Sequence, residues 1–141
     1  LFIDLDNLKA INDRYGHLEG SNVLRQFAEI LKNTVRADDL VARYGGDEFV
    51  VVLVEAASPD ALHAAERIRG KIAETQFGLD EKSGTISCTA SIGVVSWEPP
   101  AEAVGVDLFM ERADSAMYEA KRAGKNRIFL YRGSAVSSKS S

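Results

Sequence analysis

The sequence predicts an α+β fold: a mixed, mainly antiparallel central sheet flanked by helices, in the order β-α-α-β-β-α-β-α-β. Three observations carry this. Leu40 to Tyr44 and Glu48 to Val54 are strand-like runs joined around Gly45-Gly46, a hairpin signal because both glycines can take positive φ without a Cβ penalty. Stretches with apolar residues at helical spacing alternate with such runs. No internal repeat is visible.

Leu1 to Leu5 reads as a short buried strand ending in the alternating carboxylates Asp4 and Asp6. Leu8, Ile11 and Tyr15 recur at helical spacing, and Gly16 suits a helix C-terminus. A second helix is expected after Gly20, capped by Ser21, with Val23, Leu24, Phe27, Ile30, Leu31 and Val35 on one apolar face. The apolar run from Phe49 to Val54 predicts a strand covered on both faces. Ser58-Pro59 supplies an N-cap and first-turn proline for a helix with Leu62, Ala65, Ile68 and Ile72 inward. After a Gly- and Lys-containing loop, Ile86 to Val94 alternates as one half-buried strand. Pro99-Pro100 breaks the chain. Asp107 is the expected cap of a helix with Leu108, Ala113, Met117 and Ala120 inward, ended by Gly124. Ile128 to Tyr131 is the last strand, and Gly133 to Ser141 is expected to be a disordered tail.

At 141 residues the chain can bury one core. Seventeen Lys plus Arg against twenty-one Asp plus Glu give a net charge of −4, which disfavours a general nucleic-acid binder. No apolar stretch reaches membrane-spanning length, so no membrane contact is expected from this segment. The lone Cys88 excludes a disulfide framework and a cysteine-based zinc site; a cytoplasmic setting is expected. The opening Leu1-Phe2-Ile3, with no initiating Met, reads as an excerpt whose upstream sensor or regulatory domain is missing.

Several side chains carry chemistry. Asp4 at a strand end and Asp47-Glu48 at the hairpin tip would converge if their strands are neighbours, leaving room for Mg²⁺, water and phosphate. Polar hairpin tips and acidic strand ends are equally ordinary, and spacing alone serves both readings. Lys9 and Asn12 share a helix face, where they could meet phosphate and base or simply be solvated, with Lys9 paired to Asp13. Lys121, Arg122, Lys125 and Arg127 cluster at a helix end, where complementing the macrodipole is the commoner cause. Gly124-Lys125 is no P-loop, since Glu119 stands where the first glycine belongs. Arg36 and Asp39 bracket a turn as a surface ion pair, Cys88 reads as a core thiol, and His63 as a surface residue.

The string Arg43-Tyr44-Gly45-Gly46-Asp47-Glu48-Phe49 resembles the signature of GGDEF domains, the catalytic modules of diguanylate cyclases. The resemblance stays in register through Phe2-Ile3-Asp4-Leu5-Asp6, Lys9, Ile11-Asn12-Asp13, Tyr15-Gly16-His17, Ala90-Ser91-Ile92-Gly93-Val94, and Ala113-Asp114 to Gly124-Lys125-Asn126. It implies a GGDEF catalytic domain over 1–132, lacking the family's N-terminal segment, with a nucleotidyl-cyclase-like, palm-like fold. It further implies that Asp4, the Leu5 carbonyl and Asp47 hold two Mg²⁺, with Mn²⁺ as a substitute. Asp47 would help deprotonate the attacking 3′-hydroxyl, Glu48 would support the metals, and Lys9 would stabilise the reacting phosphates. Lys121 and Lys125 would hold the outer phosphates, and Asn12 and His17 the nucleoside. Cyclisation would require a homodimer, each half bringing one triphosphate. Arg36 and Asp39 fit the family's Arg-x-x-Asp product-inhibition site for a cyclic dinucleotide, with Arg67 as its second arginine.

One position departs from the family pattern. Gly16-His17-Leu18-Glu19-Gly20-Ser21 has serine where the family usually carries an aspartate that accepts from guanine. A carboxylate would meet the lone pair on adenine N1, whereas a hydroxyl can donate or accept. Serine and aspartate cap helices comparably, so the fold is expected to accept either. The serine resembles that of the hybrid promiscuous subgroup, which makes mixed cyclic AMP-GMP. The expected function is condensation of GTP and ATP to cyclic AMP-GMP, cyclic di-GMP or both. A GTP-specific diguanylate cyclase and a non-catalytic GTP or cyclic di-GMP receptor are the alternatives.

Overall fold

A computed structural model describes residues 1–98, 101–102 and 104–133. The expected break at Pro99-Pro100 and the tail beyond Gly133 lie outside the described residues. The elements are β1 (Phe2–Leu5), α1 (Leu8–Tyr15), α2 (His17–Thr34), β2 (Leu40–Arg43), β3 (Glu48–Val52), α3 (Ser58–Glu74), β4 (Gln76–Gly78), β5 (Thr85–Ser87), β6 (Ala90–Val94), α4 (Val106–Arg122) and β7 (Ile128–Leu130). Five strands form one sheet in the order β2-β3-β1-β6-β7, with only the β6–β7 pair parallel. The mixed, mainly antiparallel α+β class is therefore observed.

Strand alternation sorts β1 between two layers. Ile3 and Leu5 join the main core with Phe27 and Leu31 of α2, and Ile68 and Ile72 of α3. Phe2 turns the other way, onto Ala113 and Met117 of α4. Burying one such aliphatic or aromatic side chain is worth about 1.5–3 kcal/mol. By the same parity Asp4 faces α4, so core packing dictates where the first carboxylate points. The α4 helix lies close on β6 because Gly93 has no side chain: a Cβ there would sit 2.0 Å from Ala113 O and 2.4 Å from Met117 N.

Several sequence expectations need correction. The second helix starts at His17, directly after Gly16 at φ 91, so Ser21 lies inside α2 and caps nothing. The α3 helix begins at Ser58 itself, with Ala57 before it. Gly105, not Asp107, precedes α4, and Asp107 makes no capping hydrogen bond. Leu108 is 41% exposed because it lies roughly 200° around the helix from Met110, which flanks the buried stripe of Ala113, Met117 and Ala120.

The hairpin tip differs as well. Neither Gly45 nor Gly46 has positive φ; four residues, Tyr44 to Asp47, connect β2 to β3. Gly45 instead makes room for Glu48, whose Oε2 would lie 2.9 Å from a Cβ there. Only one face of β3 is fully covered: Phe49 and Val51 are buried, while Val50 is half-buried and Val52 exposed.

The run from Ile86 to Val94 divides between two sheets. β5 pairs with β4 in a separate hairpin, while β6 pairs with β1 and β7. Alternation sets the facing of a strand but does not name its partner. The small hairpin is fastened to α2 by Gln26, which accepts from Gly78 N at 2.9 Å and donates to Gly78 O at 2.7 Å. Cys88 is buried, and burial pushes its thiol up to about 11, which keeps it an inert core group. His63 is exposed. Among the described residues, no helix is long and apolar enough to cross a membrane.

Candidate active site

The carboxylates meet where β1 ends. Asp4 pairs in register with Glu48 of β3 and Ser91 of β6. Leu5 N–H donates to Asp47 O at 3.1 Å, which draws the hairpin tip over the end of β1. Lys121 of α4 reaches the same point, its Nζ 2.9 Å from Asp4 Oδ2 and 3.8 Å from Asp6 Oδ1.

Burial raises the Asp4 carboxyl to about 7, and the neighbouring Asp47 adds to the rise while Lys121 opposes it. Glu48 is also raised, by burial first and then by Asp114 and Asp47, again against Lys121. Carboxylates crowded in this way favour a bound proton or a cation beside them, and Lys121 supplies one such cation. Asp4 Oδ1 is buried with no hydrogen-bond partner, which is the atom a metal ion would engage. Asp4 and the neighbouring Asp47 thus fit an oxygen-ligated divalent cation with open positions. Among the described residues, no group of three or more His, Cys, Asp or Glu side chains is arranged to hold a metal by itself.

The basic residues at the end of α4 do more than complement its dipole. Lys125 Nζ donates to Asn7 Oδ1 at 2.7 Å, so Lys121 and Lys125 both bend back to the β1–α1 junction. Lys9 is exposed on α1, and the described residues show no pair with Asp13.

Asn12, His17 and Ser21 gather around the α1–α2 junction. Gly20 is buried against Asn12, whose Oδ1 would be 1.7 Å from a Cβ at that position. Ser21 is exposed and lines a cavity of about 250 Å³ with Leu24, Arg25, Arg43 and Phe49. His17 is exposed in the first turn of α2.

The Arg36–Asp39 pair is more than a surface contact. The Asp39 side chain is 1% exposed and accepts from Arg36 N at 2.9 Å and Val54 N at 3.1 Å. Burial alone would raise its carboxyl, but these N–H donors and the Arg36 guanidinium hold it below the ordinary range. Arg67 donates to Thr34 O at 3.1 Å, two residues before Arg36. All three predicted residues therefore surround the α2–β2 connection, with Asp39 fastening the backbone.

Asp6 and its partners escaped the reading of the sequence. It accepts hydrogen bonds from Thr89, Ser91 and Asn126, from two distant parts of the chain. The only local signal was the alternation of Asp4 with Asp6.

A five-stranded sheet with carboxylates at the end of its central strand and lysines arriving from the helix behind defines a nucleotidyl-cyclase-like domain. The family model described as "Diguanylate cyclase, GGDEF domain" matches residues 1–127, and the chain belongs to that family. Diguanylate cyclase A of Treponema denticola is 44% identical over 130 residues, covering 92% of this chain and 34% of the relative. The response regulator PleD of Caulobacter vibrioides is 42% identical over 128 residues, covering 91% of this chain and 28% of the relative. The chain thus spans about a third or less of these relatives. The GGDEF domain of PA1120 (YfiN or TpbB) from Pseudomonas aeruginosa superposes with a TM-score of 0.86 at 38% identity, covering 94% of this chain and 80% of that one. The GGDEF domain of DgcB from Caulobacter crescentus, a complex with c-di-GMP, gives 0.84 at 28% identity, covering 94% and 76%.

Proposed function

We propose that this domain is one half-site of a cyclic dinucleotide synthase that condenses two nucleoside triphosphates and releases pyrophosphate. The observation that carries the reading is the buried, partnerless Asp4 Oδ1 beside Asp47, with Lys121 at the same point. The names of the diguanylate cyclase relatives support it. Asp4, Asp47 and the Leu5 carbonyl would hold two Mg²⁺, which supply charge neutralisation at the triphosphate.

The chain's own residues divide the remaining work. Asp47 accepts the proton of the attacking 3′-hydroxyl, and Glu48 keeps the site anionic enough to retain cations. Lys9 offsets charge at the reacting phosphate, and Lys121 and Lys125 hold the outer phosphates. Asn12, His17 and Ser21 receive the nucleoside. One such site holds one triphosphate, so ring closure takes two domains facing each other across a two-fold axis, each 3′-hydroxyl attacking the other's α-phosphate. Arg36, Asp39 and Arg67 would meet a cyclic dinucleotide product as an inhibitory site through the two guanidiniums, since Asp39 is already committed to the backbone.

Ser21 extends the substrate range to ATP as well as GTP, with cyclic AMP-GMP among the products. A hydroxyl meets the adenine edge without the repulsion a carboxylate would impose. Chromatography of products from ATP alone, GTP alone and an equimolar mixture with Mg²⁺ tests both levels. Mixed cyclic AMP-GMP from the mixture is expected. Cyclic di-GMP alone would remove ATP from the substrates and leave a diguanylate cyclase. Binding of cyclic di-GMP without pyrophosphate release would overturn catalysis itself.

A further inference from the structure

The turn that follows α4 is held by a carboxylate with no part in the proposed chemistry. Asp6 is 2% exposed and accepts from Thr89 Oγ1 and Ser91 Oγ, each at 2.7 Å, and from the Asn126 backbone N–H at 3.0 Å. That last bond reaches a turn in which two consecutive non-glycine residues, Lys125 (φ 64) and Asn126 (φ 47), are left-handed. Asparagine visits this region readily, but a lysine keeps it only where its surroundings hold it. Further contacts add to the hold: Lys125 N donates to Ala120 O at 3.0 Å, and Arg69 Nη1 donates to Asn126 Oδ1 at 2.8 Å.

The other side of the contact is built in the same way. Asn7, next to Asp6 and itself left-handed at φ 63, accepts from Lys125 Nζ at 2.7 Å. Asp6 and Asn7 therefore engage consecutive residues of the turn, one through its backbone and one through its ammonium group. Both oxygens of Asp6 are occupied, Oδ1 by Ser91, with Lys121 Nζ 3.8 Å away, and Oδ2 by Thr89 and Asn126. Asp4, two residues earlier, keeps a partnerless oxygen. The two aspartates have separate tasks.

We propose that Asp6 is a positioning residue that locks the Lys125-Asn126 turn against the β1–α1 junction, so that Lys125 is presented to the outer phosphates of a bound triphosphate. This rests on the nucleotide reading above. Asp6 acts through hydrogen-bond geometry rather than by coordinating a metal, and that distinction can be tested. In Asp6→Asn, an amide oxygen at the Oδ2 position still accepts from Thr89 and Asn126, while the amide nitrogen donates to the Ser91 hydroxyl. Asp6→Ala loses all three bonds; both variants lose the charge that faces Lys121 at 3.8 Å, so the difference between them reports the hydrogen bonds alone.

The test measures binding of inorganic tripolyphosphate in Mg²⁺ to the full chain by calorimetry, with guanosine as a probe that carries no phosphate. Asp6→Ala is expected to weaken tripolyphosphate binding by roughly tenfold or more, the scale seen when orienting partners of a site are removed. Guanosine binding should be unchanged, and Asp6→Asn should stay within about threefold of the parent chain. If folded Asp6→Ala binds tripolyphosphate like the parent, or if Asp6→Asn loses as much as Asp6→Ala, the proposal is overturned. Should Asp6→Ala fail to fold, Asn126→Pro removes the same N–H and the same φ from an exposed turn; parental affinity in that variant also overturns it. A parent chain that binds neither tripolyphosphate nor nucleotide overturns the nucleotide reading, and this proposal with it.

Discussion

Lys121 of α4 stands 2.9 Å from Asp4 of β1, joining the end of a helix to the end of the strand on which it packs. Burial drives the Asp4 carboxyl up and the ammonium group pulls it back, so Lys121 supplies the cation nearest the acidic site. Replacing Lys121 with Met should lower the rate of pyrophosphate release by about 100-fold, the scale for losing one preorganised charge at a phosphoryl site. An unchanged rate would remove Lys121 from the chemistry.

Gly20 offers a way to disturb the proposed nucleoside site without disturbing the fold. The three atoms nearest to a Cβ at that position all belong to the end of the Asn12 side chain, which can swing away. Gly20→Ala should raise KM for the nucleotide several-fold while Tm stays level or rises, since alanine favours a helix over glycine by about 0.5–1 kcal/mol. A fall in Tm with KM unaltered would show that Asn12 packs rather than binds.

Ser21 is exposed on the second turn of α2, so Ser21→Asp should leave stability within about 0.5 kcal/mol. Its product mixture should shift towards cyclic di-GMP. The same ratio of products before and after the change would count against hydrogen-bond selection at this position.

Asp39 makes stability depend on acid. Its folded-state carboxyl is held below its unfolded value, so its contribution is complete above the unfolded pKa of about 3.9 and disappears as pH falls through the folded value. Asp39→Ala strands the Arg36 and Val54 N–H groups and should cost about 2 kcal/mol at neutral pH. Urea unfolding at pH 7 and pH 3 checks this: the gap between variant and parent should narrow at the lower pH. A gap that widens in acid would contradict the sign.

Gly93→Ala should loosen α4 from the sheet. Its new methyl would meet helix backbone at 2.0 Å, where no side chain can yield, and overpacking of this kind costs about 1–3 kcal/mol or more. Because α4 carries Lys121, activity should fall with Tm. Parental Tm and activity would show that the contact relaxes freely.

Much of the fold was legible along the chain because apolar periodicity reports directly on burial. The α2 face of Val23, Phe27 and Leu31 and the buried β1 came out as read. Helix starts did not. Ser21 and Asp107 carry good capping side chains, yet chain direction changes at Gly16 and Gly105 instead. Capping preference is worth about 1 kcal/mol, and packing of the following helix outweighs it.

The sequence by itself determined the family, the α+β class and the residue types available for chemistry, because those depend on order and local pattern. Tertiary structure alone decided which of them meet. Strand register put Asp4 opposite Glu48 and Ser91, and the close approach at Gly93 brought α4 near enough for Lys121 to reach Asp4. It also separated two aspartates that look alike in sequence, leaving Asp4 with a bare oxygen and giving Asp6 three donors. Those donors come from β6, the residue preceding it, and the turn after α4, and no local rule joins them. A buried carboxylate takes its character from whichever donors the fold delivers to it.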